Sequence, residues 1–283
     1  FHYYGYKTFN ASIIGDASKT SFDDGGFRFL QNTINIDASK QFGKENAGGL
    51  AVSYGAELRY ENYSIQAGEE ASYKAYPGVP GLTRQSPGAQ GFPGFSPADI
   101  TNENRLVSGL YGDVTYTPNN KLLITGAVRF ENYSDFGNAF IWKLSSRYLS
   151  NDNRLVLRAG VSTSFKAPAL HQIYTEIINS SYFQGDVKLF GLYSNRSKEV
   201  RQLGVPLLKP EKSFHFTTGF SYKPTQKFSI TLDYYDITLR DRILYSASIT
   251  SNDPSTELYQ ILQASGIASA QFFVNGINTH TSG

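Results

Sequence analysis

Apolar and polar residues alternate with a period of two through much of the chain, the pattern of strands with one apolar face. Residues 121–131 set Leu122, Ile124, Gly126, Val128 and Phe130 against Lys121, Thr125, Arg129 and Glu131. In 139–149 the apolar phase is Phe140, Trp142, Leu144 and Tyr148, facing away from Lys143 and Arg147. Residues 154–165 set Leu155, Leu157, Ala159, Val161 and Phe165 against Arg154 and Arg158. Two further segments, 51–61 and 105–116, oppose Val52, Tyr54, Leu58 and Tyr60 to Glu57, Arg59 and Glu61, and Leu106, Leu110, Val114 and Tyr116 to Arg105 and Asp113. Every charged residue in these five segments falls on the polar phase.

Alternation leaves open which face meets solvent. A soluble sandwich buries its apolar face; a membrane barrel shows it to lipid. Strand length favours the barrel, because these runs reach about 11 residues where globular strands average about 5–6 and a tilted bilayer-crossing strand needs about 9–11. Aromatic residues also recur near the ends of the apolar faces (Tyr54, Tyr60, Tyr116, Phe130, Tyr148, Phe165, Tyr222), where an interfacial girdle would sit. The connections alternate in length in the same sense. Short turns are expected at 118–120, 150–153 and 224–226, and external segments at 65–101, 135–138, 166–208 and 246–268. The Gly- and Pro-rich loop 65–101 carries Tyr73, Tyr76, Phe92 and Phe95, which suggests that it folds back over the mouth. In 246–268, Asp253-Pro254 followed by Glu257 resembles a helix start, with Leu258, Ile261 and Leu262 as its apolar stripe.

The segment Leu58-Arg-Tyr-Glu-Asn-Tyr-Ser64 recurs as Val128-Arg-Phe-Glu-Asn-Tyr-Ser134. It reads either as an Arg–Glu ladder on the inner wall or as one strand-end solution reached twice.

Composition changes this picture mainly by exclusion. The 283 residues contain 20 Tyr and 20 Phe but no Cys, which removes disulfides, thiolate metal sites and thiol nucleophiles. A net charge of +2 gives no nucleic-acid footprint. No run of 18 apolar residues occurs, which argues against transmembrane helices and not against a barrel. The chain opens on Phe1 with no signal-like segment, the mark of a cut or processed start.

Several motifs then resemble a known family. Arg129-Phe-Glu-Asn-Tyr-Ser-Asp-Phe-Gly137, Ser164-Phe-Lys-Ala-Pro-Ala-Leu170, Leu208-Lys-Pro-Glu-Lys-Ser213 and the strand Phe228–Ile243 are similar, in order, to signatures of TonB-dependent outer-membrane receptor barrels. Gly91-Phe-Pro-Gly-Phe95 resembles an external loop of some members, and Val274–Gly283 the start of a later strand. The resemblance implies an all-β fold: an antiparallel transmembrane β-barrel meander, partial, with about ten strands of a 22-stranded barrel. It makes 1–283 a piece of the barrel domain, without the plug domain, the TonB-interacting N-terminal region or the closing C-terminal strand. It implies a Gram-negative outer-membrane location, contact with outer-membrane lipid, and import of a small-molecule cargo (an iron chelate first, a sugar or cobalamin otherwise) using energy relayed by TonB. A passive porin-like barrel and a soluble β-sandwich adhesion module remain the alternatives.

Candidate sites follow from this placement. Glu57, Arg59, Asp113, Arg129, Glu131 and Arg158 are expected to face the lumen and the plug of the parent chain, where buried charges need partners. Tyr174, Tyr182, Phe183, Tyr193 and Arg196, with His171 and Phe92, are the external residues able to touch cargo; packing within a folded loop is the other reading. The histidines His2, His171, His215 and His280 lack metal-ligand spacing, and His215 reads as a lumen-wall residue. No metal, cofactor or nucleic acid is expected. With no nucleophile-elbow motif, neither is an enzyme. The Asn-x-Ser sites at Asn10, Asn62, Asn132, Asn179 and Asn195 read as polar strand-end residues rather than glycan acceptors.

Overall fold

The computed structural model describes residues 2–4, 21–44, 47–74, 93–183 and 186–276. In chain order its first strands are β1 (His2–Tyr4), β2 (Ser21–Asp23), β3 (Gly26–Lys44), β4 (Ala47–Gln66), β5 (Thr101–Thr117), β6 (Leu122–Tyr133), β7 (Gly137–Leu149) and β8 (Leu155–Lys166). Then come β9 (Ile177–Phe183), β10 (Asp186–Leu192), β11 (Glu211–Thr225), β12 (Phe228–Arg240), β13 (Ile243–Tyr245), β14 (Ile267–Gln271) and β15 (Phe273–Asn275). Short helices are α1 (Glu70–Tyr73), α2 (Leu170–Tyr174), α3 (Lys198–Gln202) and α4 (Glu257–Ala264).

Eight strands build a single antiparallel wall in the order β12-β11-β8-β7-β6-β5-β4-β3. The wall is open, with β3 and β12 as its edges among the described residues. Eight stand where about ten were expected, because residues 177–192 turn into a hairpin above the wall and Ile243–Tyr245 pairs with β15 instead of extending β12. Asp241, at φ 54, breaks the last strand. The turn between β11 and β12 lies at Gln226-Lys227, Pro224 being absorbed in a strand irregularity.

The register keeps one phase on each face across the wall. Val52 pairs with Val114, which faces Gly126; Phe130 pairs with Phe140, and Leu144 with Val161. This apolar face has no second layer. Val128, Leu157 and Leu232 are 51%, 44% and 62% exposed, and none of Leu122, Ile124, Leu155 or Val161 is buried. A sandwich would have covered them. No helix among the described residues is long and apolar enough to cross a membrane.

What core there is lies at the end of the wall where the long connections emerge. There β9, β10 and β14 form a small sheet in which β10 runs parallel to β14. Tyr193, Val200, Leu262, Ile267 and Phe272 pack beneath it. A second cluster, Tyr63, Ile65, Phe95 and Leu170, joins this loop layer to the tip of β4. Phe95 thus folds inward as the loop 65–101 suggested; Tyr76 and Phe92 lie outside the described residues. The helix expected near Asp253 begins at Glu257, since Thr256 caps it by accepting from the Tyr259 N–H, while Asp253 is engaged by Ser255.

Asn195 ties the layer together. Fully buried, its amide donates to the carbonyls of Pro206 (3.0 Å) and Phe273 (3.3 Å), and its oxygen accepts from the Leu208 N–H (3.0 Å). It is a knot between loops, not a polar strand-end residue.

Candidate functional site

The polar face of β4, β5 and β6 carries a dense charge network whose layout follows from the pairing register. Glu57, Gly109 and Glu131 stand in one row, with Arg59, Val107 and Tyr133 in the next and Glu61 beside Arg105 beyond. Two carboxylates in one row, a strand apart, repel unless cations from adjacent rows reach them. Arg59 lies 3.1 Å from Glu57 and 2.9 Å from Glu61; Arg129 reaches Glu57 at 3.0 Å and also pairs with Glu131. The Tyr133 hydroxyl donates to Glu131 (2.5 Å) and accepts from Arg59 (3.3 Å), which closes a ring. The two copies of the repeated segment therefore form one ladder, across β5.

Gly109 makes that crossing possible. A Cβ there would sit 3.2 Å from an Arg129 guanidinium nitrogen, in the path from β6 to Glu57. The same device recurs at Gly219, which stands between Arg158 on β8 and Asp233 on β12; those two side chains meet at 2.7 Å over it. Tyr111 likewise reaches Asp37 across Gly55.

At the upper end of the ladder Arg105 is 2% exposed. It binds Asp135 (2.6 Å) and Glu61 (3.4 Å) and donates to the Pro168 carbonyl (2.7 Å). Its guanidinium also lies 5.6 Å from the Tyr133 ring and 5.5 Å from Phe136. Neither Arg105 nor Asp135 stood among the sequence-stated site residues. The signal was present: Arg105 shares the polar phase of β5, and Asp135 lies in the same motif as Arg129 and Glu131.

Above the ladder, loops from two connections and the start of β5 flank a cleft of about 400 Å³ lined by Asp99, Glu103, Tyr174, Glu176, Ser194 and Arg196. The Arg196 guanidinium stands 5.5 Å over the Tyr174 ring. Asp99 is buried and accepts from the Ile178 N–H (2.8 Å) and from Ser96. Burial raises its carboxyl pKa above the ordinary range, and burial does the same to Glu176, which accepts from the Ser194 N–H. The cleft thus joins one cation, one aromatic face and three carboxyls, two of them with ionisation disfavoured by burial.

The family model for the TonB-dependent receptor-like β-barrel matches residues 1–277. The chain belongs to that family. TonB-dependent receptors are outer-membrane transporters of Gram-negative bacteria and not enzymes. Solved TonB-dependent receptors share the fold. The siderophore receptor PirA from Pseudomonas aeruginosa superposes with a TM-score of 0.54 at 13% identity, over 88% of this chain and 37% of that one. PirA from Acinetobacter baumannii gives 0.55 at 15%, over 88% and 33%. A mutant ferric enterobactin receptor from P. aeruginosa, in complex with enterobactin, gives 0.56 at 15%, over 88% and 32%. The chain spans about a third of the length of these receptors. No curated protein matches its sequence.

Within this TonB-dependent receptor wall, all six expected lumen residues lie on the polar face. Glu57, Arg59, Arg129 and Glu131 are drawn into the ring, Arg158 pairs with Asp233, and Asp113, flanked by Ser53 and Ala127, has no ion partner among the described residues. His215 also faces the polar side, 2.8 Å from the Ser213 hydroxyl and 3.2 Å from that of Ser164. Of the expected cargo residues, Tyr174 and Arg196 come together in the cleft. His171 stands apart, its ring edge-on to Tyr63 at 6.5 Å, and burial, with Lys166 nearby, holds its pKa below the usual value. Tyr182 and Phe183 sit on β9 opposite Val187 and Asp186. Phe92 lies outside the described residues. Tyr193 is a correction: at 2% exposure it packs against Phe272, so it belongs to the core of the loop layer and not to a contact surface. Its position after β10 turns it inward, something local sequence does not reveal.

Proposed function

We propose that this chain is a length of barrel wall from a receptor that imports a scarce nutrient, an iron chelate first, with energy relayed by TonB. A plug domain of the same parent chain would fill the barrel, and TonB would engage a region outside the wall. The observation that supports this reading is the cleft at Tyr174 and Arg196, set above a polar wall whose charges are already arranged in rows. A guanidinium over an aromatic face suits a planar, anionic, catecholate-like or carboxylate-bearing chelate.

The test is growth. The complete reading frame that contains this chain, expressed in a Gram-negative strain lacking its own chelate receptors, should restore growth on one or more ferric chelates under iron limitation. Growth should vanish in a TonB-deficient background and fall with Arg196→Ala. Rescue that persists without TonB would support a passive pore instead. No rescue by any ferric chelate would remove iron and leave a sugar or cobalamin.

A further inference from the structure

The wall is split on its lipid side. The ladder between β7 and β8 stops at Lys143 and Ser162, although both strands continue beyond it. Residues 137–142 stay paired with β6, and 163–166 with β11, so only the edges that face each other lose their partners. The Trp142 N–H donates instead to the Thr163 hydroxyl at 3.2 Å. The opening leads into a cleft of about 490 Å³, lined on the apolar face by Phe140, Trp142, Phe214, Lys212 and Arg240.

Its height can be placed. From Tyr222, at the foot of β11, to Lys212 is about 34 Å of extended strand. At a tilt of 35–45° this rises roughly 25 Å, the height of the apolar band of an outer-membrane barrel. Between them the same face of β11 carries Phe220, Thr218, Phe216 and Phe214 and no charge, with Asp236 of β12 beside Phe216. The split therefore opens where hydrocarbon gives way to headgroups on the external side, the level at which unpaired backbone groups can find polar partners.

The charges there are unbalanced. Lys212 and Arg240 are exposed, directly opposite each other in the register, and neither has an ion partner among the described residues. Like charges in direct opposition repel unless an anion lies between them. Nearby carboxylates do not serve. Glu211 points to the other face, held by Lys166 and the Ile243 N–H. Asp236 is two same-face positions further down β12, and Asp241 lies in the turn beyond Arg240.

We propose that this cleft seats the phosphorylated headgroup of lipopolysaccharide from the outer leaflet. Lys212 and Arg240 hold a phosphate between them, the unpaired edges of β7 and β8 meet sugar hydroxyls, and Phe140, Trp142 and Phe214 cover the first methylenes of an acyl chain. This rests on the outer-membrane placement of the family and is independent of the cargo.

Trp142 is the only tryptophan in the chain, so its fluorescence reports on the cleft directly. The complete receptor that contains this chain, in neutral-detergent micelles and with any tryptophan outside these 283 residues replaced by phenylalanine, should show a saturable blue shift when titrated with lipopolysaccharide. Phosphatidylglycerol should bind more weakly, and inorganic phosphate should not compete. The double variant Lys212→Gln/Arg240→Gln should lose about tenfold or more in apparent affinity, the loss of two charge-assisted contacts. Lys227→Gln, at the opposite rim, should bind as the parent does. If the double variant fails to fold, each single variant is expected to weaken binding severalfold and serves in its place. Absence of a saturable shift, unchanged affinity in the variants, or equal binding of phosphatidylglycerol would overturn the proposal, as would competition by inorganic phosphate.

Discussion

The polar face is two different surfaces. Across β4, β5 and β6 it satisfies itself: three arginines, three glutamates, Asp135 and a tyrosine close a network in which Arg105 is almost fully buried. Across β7, β8 and β11 it does not. Lys143 and Arg147 have no ion partners among the described residues, and Arg147 stands directly opposite Arg158, whose own partner Asp233 is 59% exposed. The same alternation made both halves, so the hydrophobic pattern does not determine how much of a wall is finished. The first half is built to be rigid by itself. The second presents positive charge that the described residues leave uncompensated.

Substitutions that treat the halves alike should expose the difference. Arg105→Ala leaves Asp135 buried without its cation, Glu61 keeping only Arg59, and should cost about 3–5 kcal/mol. Arg147→Ala should stay within about 0.5 kcal/mol. Thermal unfolding in micelles, followed by loss of the β signal, measures both; equal effects would erase the distinction. Next in size, Gly109→Val should cost about 1–3 kcal/mol by driving Arg129 off Glu57 in a tightly packed row. Asp233→Asn breaks the corresponding pair of the open half and should cost at most about 1 kcal/mol, as exposed pairs do.

The smallest effect separates wall from loops. Asp99 and Glu176 have folded pKa values above their ordinary 3.8 and 4.5, so the folded loops bind protons more readily than the unfolded chain. Their contribution should therefore grow as pH falls through the raised values towards the ordinary ones, and shrink as it rises again. Hydrogen exchange in residues 186–205, corrected for intrinsic rate, should show slightly greater protection in mild acid. Asp99→Asn with Glu176→Gln should flatten that dependence. Protection that falls instead would mean that these carboxyls are ionised and paired in the fold.

The wall was largely legible in the sequence because its information is local. A period of two assigns Arg129 and Val128 to opposite faces without knowledge of any partner strand, and β5 to β8 were bounded to within a few residues. The loop layer was not. The pairing of Leu189 with Ile267 joins residues far apart in sequence, and that contact, not any pattern near Tyr193, decides that the tyrosine is core. Arg105 shows the middle case: its face was readable, but its burial depends on Pro168, supplied by another connection. The echo of Leu58–Ser64 in Val128–Ser134 left ladder and coincidence open, and only the intervening Gly109 explains how the two copies meet.

The parallel pairing of β10 with β14 has a consequence for how such a receptor can change. External loops are the usual sites of substitution and exchange, because each is tethered to its own hairpin. Here two of them share a core, with Tyr193 and Val200 from one packed against Leu262 and Phe272 from the other, and Asn195 bonded to the second loop at Phe273. A graft of residues 177–205 alone would arrive without the surface it folds upon. The two loops are thus linked as a unit of inheritance, and a change of specificity on this side of the mouth has to be made in both at once.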